Sequence, residues 1–101
     1  MLFLVQAAAD VDTANRVDAG GGPGPAFAKI AERFRPQAFY GNPTRRELVM
    51  IVELETPAKV AELMFVLTYF SGREPTFTPL TKLEIFGEAL KNAKEIISPP
   101  K

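Results

Sequence analysis

The chain has 101 residues, with 12 basic and 12 acidic side chains and a formal charge of zero. This balance lacks the basic footprint of a nucleic-acid binder and gives no attraction to an anionic membrane surface. The sequence contains no Cys, His or Trp, so disulfides, thiolate or imidazole metal ligands and the commonest general base are excluded.

Apolar residues make up 47% of the chain, which predicts one folded domain over residues 1–97 with a tail at 98–101. No metal and no cofactor is expected, and acid–base work would fall to Asp, Glu, Tyr or Lys. A Cys-free chain fits the reducing cytoplasm, the expected location. Met1-Leu2-Phe3-Leu4-Val5 is apolar, but no basic residues precede it and Gln6 cuts the run short. It therefore reads as a strand rather than a signal segment. The run from Leu63 to Phe70 is far below membrane-spanning length.

In chain order, Leu2 to Ala8 is the first expected strand, apolar on both faces. Asp12 is a candidate N-cap for a helical stretch beginning at Thr13. Gly20-Gly21-Gly22-Pro23-Gly24-Pro25 interrupts it, since glycine and proline runs do not sustain a helix. No Lys-Ser/Thr follows the glycines, so a turn that restarts the helix near Pro25 is favoured over a phosphate-cradling loop. Phe27, Ile30, Ala31 and Phe34 then fall at helical spacing, and Pro36 ends that helix.

Gln37 to Tyr40 and Arg46 to Glu55 read as strands joined by Gly41-Asn42-Pro43-Thr44, an antiparallel hairpin. In the second of them Leu48, Met50, Val52 and Leu54 alternate onto one face, and Val49 and Ile51 onto the other. A strand apolar on both faces requires cover on both. Thr56-Pro57 opens a helix with a side-chain cap and a proline at its first position, and Gly72 suits its left-handed end. Val60, Leu63, Met64 and Leu67 form its buried stripe, flanked by Phe65 and Tyr69. Pro75 to Leu80 is a strand at an edge or an interrupted one, because Pro75 and Pro79 cannot donate to a ladder. Thr81 and Glu84 fit a capping box before a last helix carrying Ile85, Phe86, Ala89, Leu90, Ala93 and Ile97.

This order predicts an α+β, ferredoxin-like βαββαβ domain: a four-stranded antiparallel sheet with helices on one face, plus a C-terminal helix. The second sheet face would be covered by another copy of the chain or by the C-terminal helix, the copy being preferred.

The strand Met1-Leu2-Phe3-Leu4-Val5, the break Gly21-Gly22-Pro23, the junction Val52-Glu53-Leu54-Glu55-Thr56-Pro57 and the strand Phe77-Thr78-Pro79-Leu80 together resemble the dimeric α+β-barrel superfamily. Within it the chain looks like one of its small bacterial families. The resemblance covers residues 1–81 and implies a homodimer with a cleft between sheet and helices, but no particular activity.

For such a cleft the candidate catalytic residues are Glu53 and Tyr40, and the candidate ligand-binding residues are Gln6, Arg45, Arg46 and Tyr69. Glu53 shares a strand face with Val49 and Ile51, where a buried carboxylate would have a raised pKa suited to a general base. Arg45 or Arg46 could pair with it or hold a carboxylate ligand through two hydrogen bonds. The competing reading makes Glu53 and the arginines structural ion pairs, and the tyrosines core-edge residues with their hydroxyls in water. The resulting expectation is a homodimer joined through the sheet face that binds a small apolar or aromatic molecule. It would bind no nucleic acid and no membrane. A cofactor-free isomerase or monooxygenase, or a module that docks a protein partner, stands as the alternative.

Overall fold

The computed structural model describes residues 1–97, so the tail expected at 98–101 lies outside the described residues. The elements are β1 (Leu2–Ala8), α1 (Val11–Ala19), α2 (Gly24–Phe34), β2 (Ala38–Asn42), β3 (Glu47–Glu53), α3 (Pro57–Ser71), β4 (Thr76–Leu80) and α4 (Glu84–Ile97). The strands form one antiparallel sheet in the order β2-β3-β1-β4. This is the ferredoxin-like arrangement, with its first helical layer split in two at the Gly-Pro segment.

Register fixes the two faces. Val5 pairs with Met50 and Phe77, and Phe3 with Val52. Because side chains alternate along a strand, this set shares one face. There Val5, Ala7, Leu48, Met50 and Val52 are buried with Ile30 and Phe34 of α2 and Leu63 and Leu67 of α3. The other face carries Leu2, Leu4, Gln6, Val49 and Ile51, all half-buried. Among the described residues no helix covers it, so the cover that the two-faced strand requires does not come from α4 of the same chain.

Local signals account for most boundaries. Thr56 caps α3, its hydroxyl accepting from the Lys59 N–H at 3.2 Å, and Gly72 closes the helix in the left-handed conformation at φ 73°. In α1 the expected cap moves by two residues. Asp10, not Asp12, is the N-cap, accepting from the Thr13 N–H at 2.8 Å and from the Thr13 hydroxyl at 2.8 Å. Either aspartate could have capped. The Asp10 N–H donates to the Ser71 carbonyl at 2.9 Å, which ties the start of α1 to the end of α3 and selects the earlier one. The capping box expected at Thr81 and Glu84 is replaced by backbone bonds from Ile85 to Lys82 and from Phe86 to Leu83, and α4 begins at Glu84. Phe65 and Tyr69 remain exposed on the outer side of α3.

The Thr13 hydrogen bonds to the Asp10 carboxylate, backbone first, hold its pKa below the ordinary 3.8. The Arg33 guanidinium of α2 lowers the Glu62 carboxyl of α3 from its own ordinary value, chiefly through their direct hydrogen bond. A carboxylate depressed on folding stabilises above its unfolded pKa, and that contribution is lost as pH falls through the folded value. The urea midpoint is therefore expected to hold between pH 7 and 5 and to fall below about pH 4. The deficit of Asp10→Asn relative to wild type should shrink over that same interval. A deficit unchanged at pH 3 would contradict a role for the Asp10 charge.

Candidate functional site

A cleft opens where the C-terminal end of β1, the β2–β3 turn, α1, the start of α2 and the end of α3 meet. Its volume is about 780 Å³, within the range of small-molecule sites. The sequence builds it for a local reason. Gly21 and Gly22 adopt φ of 108° and 88°, a conformation open to glycine at no steric cost. The chain thereby turns between α1 and α2 instead of continuing as one helix across the sheet. The gap left between the two helices is the cleft.

Its walls are apolar: Ala14 and Val17 from α1, Phe27 from α2, Leu48 from β3, and Leu67 and Phe70 from α3. Phe27 is partly exposed and meets Phe39 edge to face, with ring centroids 5.8 Å apart. Polar groups gather at the rim. Arg46 donates to Asn15 at 2.9 Å and pairs with Asp18 at 3.3 Å, bracing the β2–β3 turn against α1. Glu47 accepts from Asn42 at 3.2 Å, and the Asn42 side chain accepts from the Thr44 N–H at 3.0 Å, which shapes the turn. Arg45 and Arg73 also line the cleft. Among the described residues neither forms an ion pair within 4.0 Å.

Of the residues picked from the sequence, the structure gathers two at this cleft, Arg45 and Arg46. Tyr40 and Gln6 lie on the uncovered sheet face, Tyr40 beside Val49 and 69% exposed. Glu53 lies on that same face, four residues along β3 from Val49, about 13 Å away at strand spacing. Its carboxylate accepts from the Met1 ammonium at 2.7 Å, so its partner is the chain's amino group and not an arginine. The arginines precede Glu47 and sit at the opposite end of β3, out of reach. Tyr69 is 75% exposed on the outer side of α3, stacked edge to face with Phe70.

The sequence reading did not select Val17, Phe27, Phe70 or Arg73. Phe27 belonged to the helical stripe of Ile30, Ala31 and Phe34. Phe27 meets the gap beside α1 because the Gly-Pro break offsets α2 from α1. Phe70 turns inward beside the outward Tyr69, and Arg73 follows the Gly72 cap directly. The geometry can therefore enclose a small apolar body and present guanidinium groups to an anionic end. Compared with known protein families and with curated proteins, the chain matches no family model and no curated sequence.

Proposed function

We propose that this chain is a ligand-binding α+β module that acts as a homodimer through its open sheet face. It takes a small apolar or aromatic carboxylate in the cleft between α1, α2 and the end of the sheet. The observation that carries this reading is an apolar cavity of about 780 Å³ with two arginines at its rim that make no ion pair among the described residues. An apolar pocket with a few convergent polar groups is the usual form of a small-molecule site. A guanidinium is suited to a carboxylate because it can donate two parallel hydrogen bonds. The half-buried apolar residues of the open face support the dimer, since a monomer gains nothing by leaving them in water.

The test is binding of 1-naphthoate and of its neutral amide, read by calorimetry. The acid is expected to bind more tightly than the amide by about tenfold, corresponding to 1.4 kcal/mol. Arg45→Gln should erase most of that preference while keeping the amide affinity. Val17→Trp, which fills the cleft from α1, should abolish both. Binding that survives Val17→Trp would place the ligand elsewhere, and no binding of either compound would remove this reading.

A cofactor-free isomerase or monooxygenase using Glu53, Tyr40 and an arginine draws less support. Those groups are spread over the open sheet face and the opposite end of β3 rather than converging on one cavity.

A further inference from the structure

Two apolar surfaces have no partner among the described residues. One is the open sheet face, centred on Leu4, Val49 and Ile51. The other is α4. Its apolar stripe of Ile85, Phe86, Leu90 and Ile97 is exposed, with Phe86 at 61% and Leu90 at 54%, and none of its residues is buried. The radius of gyration is 17.9 Å and the longest extent 67 Å against 26 and 24 Å across, whereas a compact domain of this length has a radius of about 13 Å. The fold therefore holds α4 away from the sheet that precedes it.

We propose that α4 is an exchanged arm, laid across the open sheet face of a second copy of the chain while that copy's α4 returns the contact. The inference rests on the homodimer reading above and names the element that covers the sheet. Four observations carry it. The dimensions agree: a helix of 14 residues is about 21 Å long, and four strands at about 4.8 Å spacing place the outer strand axes about 14 Å apart. The chemistry agrees along the middle of the sheet, where Leu2, Leu4, Val49 and Ile51 lie together beside Gln6 and Thr78, with Glu47 and Glu53 at the ends of β3. The connection agrees, because only Thr81, Lys82 and Leu83 separate β4 from α4, and short hinges favour exchange over folding back. The arrangement also closes on itself, each chain giving one stripe and one sheet, which ends in a twofold dimer rather than a filament. An anionic lipid surface fits less well. Amphipathic helices that lie on membranes are rich in Lys and Arg on the polar face, whereas α4 carries Glu84, Glu88 and Glu95 against Lys91 and Lys94.

The chain has no cysteine, so crosslinking at chosen positions is free of background. The full-length variants Ile51→Cys and Leu90→Cys are made singly and mixed, and also combined in one double variant, each preparation is oxidised at equilibrium, and the mass is followed by light scattering. The proposal expects a mass of about twice 11.1 kDa and a crosslink joining one variant to the other. It also expects Phe86→Glu and Leu90→Glu to shift the mass to the monomer with the folded circular dichroism spectrum retained, since both residues are exposed in the single chain. A dimer in which Ile51→Cys crosslinks only to itself would mean sheet packed on sheet, and would overturn the arm while keeping the dimer. A crosslink formed within one chain of the double variant would mean that α4 covers its own sheet. A monomeric mass at all concentrations would remove the dimer itself. Flotation of the monomer with phosphatidylglycerol vesicles would assign α4 to a membrane instead.

Discussion

Gly72→Ala is expected to destabilise the fold by about 3 kcal/mol and to lower the melting temperature by roughly 15 °C. Two separate costs produce this. Gly72 has φ 73°, and placing a residue with a Cβ in the left-handed region costs about 1–2 kcal/mol. The added carbon would also collide with the Asp10 carboxylate and the Thr13 hydroxyl. Those groups are the cap of α1 and are held by their own hydrogen bonds, so they cannot swing aside without breaking that cap. Forcing an extra methyl into packed surroundings costs about 1–3 kcal/mol. For a domain of this length each kcal/mol shifts the midpoint by about 4–8 °C. Thermal unfolding followed by circular dichroism measures the result. A shift below about 3 °C would mean that α1 and α3 are not locked together at this corner. Because α1 and α3 form two walls of the cleft, the same variant should also weaken naphthoate binding.

Leu63→Ala is expected to cost a similar amount, about 3 kcal/mol within the range of 2–5 kcal/mol for such truncations. Leu63 is fully buried on the inner side of α3, with Val5, Met50 and Val52 equally inaccessible on the sheet beneath it. Interiors are close-packed, and three core strand residues together with a helix leave little freedom to collapse into the space. A midpoint in urea that falls by less than about 1 kcal/mol equivalent would show that the core repacks around α3. The same truncation at Phe65 on the outer side of that helix should leave stability nearly unchanged, since Phe65 is exposed. The pair of variants thus reads the orientation of α3 directly. In a dimer whose interface includes that outer side, Phe65→Ala would instead weaken association.

Much of the architecture was legible before the structure, and for local reasons. Thr56-Pro57 and Gly72 delimit α3 because a side-chain cap, a proline without an N–H and a left-handed end each leave their mark in the sequence. The period-two alternation of Leu48, Met50 and Val52 against Val49 and Ile51 fixes which residues face the helices, and the register bears that out. The edge position of β4 follows from Pro75 and Pro79, which remove ladder donors.

The candidate site was much less legible. Arg45 and Arg46 reach the cleft, but Glu53 could not join them, because six residues of extended strand separate Arg46 from it. Counting that distance along β3 would have excluded the pairing from sequence alone. The choice of Asp10 over Asp12 as cap was not available in that way. It depends on the Ser71 carbonyl, which lies some sixty residues away and arrives only when α3 packs beside α1.

What the sequence determined by itself is therefore the identity and order of the strands and helices and the inward faces of β1, β3 and α3, since these follow from interactions within a few residues. Only the tertiary structure decided that the Gly-Pro break opens a cleft beside Phe27, that Glu53 meets the amino terminus, and that α4 stands clear of the sheet. Those outcomes are set by distances between segments remote in the chain, and neither spacing nor composition encodes a distance across space.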